Sequence, residues 1–193
     1  LCSSSGKKVF KKEVDGLKKL GQVPDIRTPK VHFFEDNVLI LEYISSGVPN
    51  KASWFHFGAG LAKVHSIRSS SFGLNYDNYI GSNLQKNTLL NFNSRSSWGE
   101  FFFENRIKFQ LDLMLEKKKC KKYETLAFKL NSLKIKIIES ISSNEGPNLI
   151  HGDLWSGNFL FDELGKPVLI DPAIYFGNRE AEFGMITLFG GFN

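Results

Sequence analysis

Asp153, Asn158 and Asp171 are three oxygen-bearing side chains whose types and spacing suit phosphoryl transfer. The first two lie in His151-Gly152-Asp153-Leu154-Trp155-Ser156-Gly157-Asn158, and the third in Ile170-Asp171-Pro172. Moving a phosphoryl group onto a hydroxyl needs a carboxylate within reach of the hydroxyl proton. It also needs hard oxygen ligands for a Mg²⁺ ion that offsets the phosphate charge. Asp153 is placed to be the base, with Asn158, five residues on, and Asp171 as metal ligands. Because the proton moves late in such reactions, a carboxylate of ordinary pKa suffices at Asp153. Asp, Asn and Gly are also common turn residues, and it is their combination, not any one of them, that points to chemistry.

Several elements must position these groups. Phe159-Leu160-Phe161 and Val168-Leu169-Ile170 are apolar runs flanking Asp162-Glu163-Leu164-Gly165-Lys166-Pro167, a turn composition, so a β-hairpin returns Asp171 to Asn158. Upstream, Phe10, Val14, Leu17 and Leu20 recur at helical spacing, which predicts a helix over Lys8 to Leu20 with Gly21 as its stop and Glu13 within it. Pro29 to Phe34 and Val38 to Tyr43 read as antiparallel strands joined at Glu35-Asp36-Asn37. Ile44 to Pro49 is a small-residue hinge, which predicts a partial N-terminal lobe over 1–46 and a second lobe over 47–193. In that second lobe Lys51 to Ile67 is helical in pattern, with His65 a satisfied packing histidine. Phe72 to Asn87 reads as loop or short turns, Trp98 to Lys118 and Lys122 to Ser142 as helices, and Ala181 to Phe189 as an amphipathic helix. Arg179 and Glu180 would pair with each other or cap that last helix.

Composition narrows the function classes. With 41% hydrophobic and 23% charged residues the chain suits a globular core and no disordered class. The net charge of +5 gathers partly in Glu116 to Lys122, a run without interleaved aromatics, so neither nucleic acid nor membrane is an expected partner. Cys2 and Cys120 stand far apart with no C-x-x-C pair, which points to a reducing, cytoplasmic setting.

HGDLWSGN, VLIDPAIYFGNREAE and LFGGF carry a more specific message, and FKKEVDGLKKL, LILEYI, LAKVH, FGLNYDNYIGSNLQKN and FFFENR agree in order. Together they resemble the fructosamine kinase (ketosamine-3-kinase) family, relatives of aminoglycoside and choline kinases. The resemblance runs from about Val9 to the last residue. It implies an α+β, protein-kinase-like two-lobe fold with a truncated N-lobe of antiparallel strands and a mainly helical C-lobe, incomplete at its C-terminus. Its implied cofactors are ATP and Mg²⁺. The backbone of Glu42, Tyr43 and Ile44 would meet the adenine edge, and Glu13 would pair with a phosphate-binding lysine on a preceding strand. Trp155, where ketosamine kinases carry Trp, offers a flat indole to a sugar or carbon chain. Asp77, with Asn78, Gly81 and Gln85, matches a loop near the acceptor, and Tyr175 follows the metal-binding Asp.

The implied acceptor is a ketosamine, fructosamine or ribulosamine, as a small molecule or on a glycated lysine of a protein. Phosphorylation at the sugar's third carbon would destabilise the adduct and release the amine, a deglycation. The chain departs from the family upstream of Glu13, where only Leu1 to Lys12 remain. Lys7, Lys8, Lys11 and Lys12 stand too close to Glu13 to be the strand lysine. The phosphate clamp is therefore expected to be absent, the chain a fragment, and apolar faces exposed. Two alternatives stay open: a kinase for choline- or aminoglycoside-type acceptors, and an inactive fragment or pseudokinase. Trp155 with NYIGS counts against the first, and the retained Asp153, Asn158 and Asp171 against the second.

Overall fold

Seven α-helices and four two-stranded antiparallel ladders make up the described residues of the computed structural model, which are 6–88, 97–117 and 120–190. Cys2, Lys118, Lys119 and residues 191–193, where the LFGGF segment ends, lie outside them. Helix α1 (Gly6–Leu20) buries Val14, Leu17 and Leu20, residues three apart that share one helical face, and packs on β1 (Val31–Glu35). Strand β1 pairs with β2 (Val38–Leu41), as expected, Phe34 opposite Leu39 and Glu35 opposite Val38. Phe33, Val38 and Ile40 share one face of this ribbon and are exposed, as is Phe34 on the other face.

Helix α2 (Lys51–Ser66) starts on a reciprocal capping box: Asn50 accepts from the Ser53 amide, and the Ser53 hydroxyl accepts from the Asn50 amide. Its buried stripe of Phe57, Leu61 and Val64 meets Leu20, Val23 and Ile26 on one side and Leu149, Leu154, Phe161, Leu169 and Ile174 on the other. Leu154 and Ile174 belong to the two loops that carry the candidate chemistry, so the core anchors those loops directly. Strands β6 (Phe159–Phe161) and β7 (Pro167–Leu169) form the expected hairpin, roofed by Trp54 packed edge-on to Phe159 and Phe161. A further pair, β5 (Asn148–Ile150) with β8 (Tyr175–Gly177), was not legible in the sequence. A smaller aromatic core of Phe72, Trp98, Phe101 and Tyr175 closes around Ile150.

Three stretches differ from the sequence reading. Phe72 to Asn87 is not all loop: β3 (Asn78–Ile80) and β4 (Asn83–Gln85) make a hairpin turning at Gly81, whose φ is +56°. The helix expected over Trp98 to Lys118 is broken into α3 (Trp98–Phe102), a π-helical segment Phe103–Lys108, and α4 (Phe109–Lys117). The next run splits at Leu133 into α5 (Lys121–Ser132) and α6 (Lys134–Ile141). Helix α7 (Glu180–Phe189) completes the fold, with Arg179 at its N-cap position making no side-chain cap bond and reaching Glu145, not Glu180, at 2.6 Å.

Leu169 is fully buried and Leu164, on the turn of the same hairpin, is 82% exposed. Leu169→Ala is expected to cost about 2–5 kcal/mol in urea unfolding, and Leu164→Ala less than about 0.5 kcal/mol. Similar losses from both would mean that this hairpin is not part of the core.

Candidate active site

Two loops run side by side between the short ladders. The first, 151–158, leaves β5 and enters β6; the second, 170–174, leaves β7 and enters β8. Cross-bonds hold them together: the Ile170 amide donates to the Asn158 carbonyl at 3.0 Å, and the Ala173 amide to the His151 carbonyl at 3.0 Å. Gly152 sits where the loops touch, with φ of +83°, and a Cβ there would lie 2.2 Å from the Ala173 carbonyl oxygen.

His151 is fully buried, and burial lowers its pKa, so the imidazole is neutral. Its Nδ1 accepts from the Asp153 amide at 3.3 Å, which puts the ring proton on Nε2, donating to the Ile170 carbonyl at 3.0 Å. One ring thus ties Asp153 to the residue before Asp171. The His151 amide in turn donates to both carboxylate oxygens of Glu182, each at 2.9 Å, and His65 Nε2 meets Glu182 Oε2 at 3.0 Å. His65 is therefore the satisfied histidine expected. Sequence reading assigned Glu182 no role; a carboxylate preceding an apolar helical run is the one signal it leaves.

The Asn158 amide nitrogen donates to the Asp153 carbonyl at 2.8 Å and to the Asp153 carboxylate at 2.9 Å. That leaves the side-chain oxygen, Asn158 Oδ1, as the atom able to face a cation. Asp171 adopts a left-handed backbone, φ +51°, and its charge acts on both neighbouring acids. Burial, then repulsion from Asp171, raise Asp153 to about 6 against the bond from Asn158. An ordinary carboxylate would suffice for the chemistry expected of Asp153, and half-burial beside a second carboxylate lifts it above that. Glu13 is raised to about 7, by burial first and Asp171 second. Among the described residues no cation is seen paired with it.

The donors around Asp171 are hard oxygens in an excess of negative charge, and they fit a divalent cation. No three His, Cys, Asp or Glu side chains among the described residues could hold a metal unaided. Phosphate and water oxygens would complete the shell, as Mg²⁺ sites at phosphates commonly require.

Trp155 is partly exposed, its indole laid over Gly157, where a Cβ would fall 2.4 Å from the ring, and tilted against Phe189 at 5.8 Å. The other expected residues divide. Asp77 Oδ1 accepts from the Asn87 and Thr88 amides at 2.8 and 3.0 Å and from the Thr88 hydroxyl, so its carboxylate holds a loop. Asn78 and Gln85 are buried and donate to the Ile174 and Ala173 carbonyls at 2.8 and 3.0 Å, steadying the loop after Asp171. The Glu42 side chain takes Arg27 at 2.6 Å and the Lys30 amide at 3.0 Å, and the Glu42 amide itself donates to the Lys30 carbonyl at 2.8 Å; Tyr43 is 89% exposed. Arg27 also binds Asp162 at 2.5 Å, bringing the Glu42–Ile44 segment to the β6–β7 turn, where Ile44 and Leu164 line a cavity of about 280 Å³.

The family model for fructosamine kinase matches residues 2–193. The chain belongs to the fructosamine kinase family. A probable ketoamine kinase of Enterococcus faecium is 37% identical over 190 residues, covering 95% of this chain and 64% of that one. A chloroplastic protein-ribulosamine 3-kinase of Arabidopsis thaliana is 33% identical, with 94% and 56% covered. Two solved structures, each called a "putative fructosamine-3-kinase", superpose with TM-scores of 0.81: one from Haemophilus somnus, 28% identical, and one from Thermobifida fusca, 31% identical. They cover 98% and 97% of this chain, which spans 62% of each of theirs. The protein-kinase-like α+β fold of the family is therefore the fold of this chain. The chain spans less than two thirds of the length of these relatives.

The sign of the acid shifts gives two expectations. A base at Asp153 would have to be ionised to take a proton, so kcat/KM would rise with pH through a midpoint near 6, and Mg²⁺ held at Asp171 would move that midpoint down by offsetting its charge. A midpoint indifferent to Mg²⁺ would remove Asp171 from the metal site. Glu13 binds its proton more tightly folded than unfolded; that stabilisation is complete below its ordinary 4.5 and lost as pH rises through about 7. Metal-free thermal stability should fall between about pH 5 and about pH 8, and Glu13→Gln should lessen the fall. An unchanged slope would show that Glu13 is not the strained acid.

Proposed function

We propose that the protein transfers a phosphoryl group from ATP to a hydroxyl of a ketosamine sugar, at its third carbon. The arrangement that carries this reading is Asn158 bonded through its amide to the Asp153 carboxylate, with Asp171 brought alongside by the paired loops. Asp153 orients the acceptor hydroxyl and takes its proton as the new oxygen–phosphorus bond forms. The bond from the γ-phosphorus to the bridging oxygen breaks, and ADP leaves with that electron pair. Asn158 Oδ1 and the Asp171 carboxylate would hold Mg²⁺, which when bound neutralises charge on the phosphates. Trp155 offers the acceptor a flat apolar surface beside the base.

Residues 1–46 then act as the upper lobe and 47–193 as the lower, with the backbone of Glu42, Tyr43 and Ile44 along the adenine edge. The link between Arg27, Glu42 and Asp162 supports this division, since it brings the hinge strand to the lower hairpin. The acceptor is a fructosamine or ribulosamine, free or on a glycated lysine, and the 3-phosphate loses its amine, which makes the activity a deglycation. The names of the Enterococcus and Arabidopsis relatives support that acceptor class. No described helix is long and apolar enough to cross a membrane. We place the protein in the cytoplasm, in line with Cys120, a free and exposed thiol.

ADP release with Mg²⁺-ATP and fructosyl-lysine is the decisive assay. Asp153→Asn should lower kcat about 10²–10⁴-fold, the range of a positioned base. Turnover that survives the substitution would sink the mechanism, and turnover of choline or an aminoglycoside in place of the ketosamine would sink the acceptor.

A further inference from the structure

The backbone of Tyr43, Ile44 and Ser45 makes no hydrogen bond among the described residues, so the placing of these three depends on how their ends are held. Downstream, the Gly47 amide donates to the Phe161 carbonyl at 2.7 Å, and a Cβ on Gly47 would lie 2.4 Å from the Asp162 carbonyl oxygen. That end is fixed against the β6–β7 hairpin. Upstream, the backbone amide of Glu42 is bonded to Lys30, which belongs to the other side of the hinge. What joins Glu42 to the hairpin is Arg27, whose Nη2 donates to Glu42 Oε1 at 2.6 Å and Nη1 to Asp162 Oδ2 at 2.5 Å.

Both roots of this bridge are immobile. Asp162 is 5% exposed, and its Oδ1 accepts from the Leu164 and Lys166 amides at 3.0 and 2.9 Å. The Arg27 backbone is fastened to β7 as well, its carbonyl accepting from the Leu169 amide at 2.9 Å and its amide donating to the Pro167 carbonyl at 3.3 Å. The guanidinium thus stands on the hairpin and presents one arm to Glu42. Its planar fork bonds two carboxylates at once, which an ammonium at the same place would do less well, and without a cation the two acids would repel across the gap. Arg27, Tyr43, Ile44, Asp162 and Leu164 line one cavity of about 280 Å³, so the width of that cavity follows from where Glu42 is held.

Resting on the kinase reading above, we propose that Arg27 is a positioning residue for the nucleotide. Through Glu42 it sets the distance between the backbone of Tyr43 and Ile44 and the hairpin beneath, and so the fit of the adenine between them.

The test reads adenosine and Mg²⁺-ATP binding by calorimetry, and turnover by ADP release with fructosyl-lysine, on the full chain. Arg27→Gln should weaken adenosine and ATP alike by about tenfold, the scale of a residue that acts through a neighbour. KM for ATP should rise by the same factor, with kcat and KM for fructosyl-lysine little changed. Glu42→Gln should reproduce the loss, and the double variant should be no worse than either single one, because both break the same bridge. Arg27→Lys, which keeps the charge, should lose less, and it serves where Arg27→Gln fails to fold; a lysine variant with wild-type adenosine affinity overturns the proposal. So does wild-type affinity in Glu42→Gln, or a fall in kcat and a rise in both KM values together, which would mark a merely structural role. Arg27-dependent adenosine binding without turnover would keep the positioning role and overturn the kinase reading. Turnover with a KM for ATP indifferent to Arg27 would do the reverse, and a wild-type chain that binds no nucleotide overturns both.

Discussion

Strands β5 to β8 are three residues long each, so the loops they carry cannot inherit their shape from the ladders. Shape comes instead from a buried carboxylate. Glu182 receives the His151 amide, and the His151 ring then holds the Asp153 amide on one side and the Ile170 carbonyl on the other. The bonds to Glu182 are buried and those of the His151 ring partly so, and a buried donor or acceptor left unmet costs about 1–3 kcal/mol. Neither loop can shift without breaking several such bonds together. Because Glu182 sits on α7 and also binds His65 on α2, the loops are registered against helices from either side of the core.

The apolar core reinforces the same geometry from below. Leu154 and Ile174 are loop residues, yet both are buried in the main cluster with Phe57, Leu61 and Leu169. Asn78 and Gln85 then fasten the far end of the second loop through the Ile174 and Ala173 carbonyls. Polar bonds set the direction of the loops and apolar burial sets their depth. The exposed side chains Trp155 and Asp171 are left at the surface of a rigid frame.

What the sequence revealed and what it hid follow from where information is stored. Asp153, Asn158 and Asp171 stood out as candidates because side chains of those types at that spacing suit one chemistry, and the β6–β7 hairpin was legible because Asp, Gly and Pro punctuate it. The β3–β4 hairpin was read as loop because it lacks apolar alternation; its stability comes from buried amides bonded to backbone far along the chain. Glu182 was given no role for a similar reason, since a bond to a backbone amide 31 residues away carries no side-chain signature. The π-helical segment is a local insertion in an otherwise regular helical pattern, and periodicity alone does not register it. The raised pKa of Asp153 depends on burial and on an acid from the neighbouring loop, both products of the fold.

The left-handed backbone of Asp171 carries an evolutionary consequence. At a φ of +51° only Gly, and to a lesser degree Asn and Asp, sit without steric cost, while β-branched residues are strained. A lineage released from selection for turnover could therefore drift at this position to Asn or Gly and keep its fold, but not to Val or Ile. Decay of the catalytic centre in this architecture would leave a narrow conformational fingerprint, readable as an Asn or Gly at the first position of the second loop's turn.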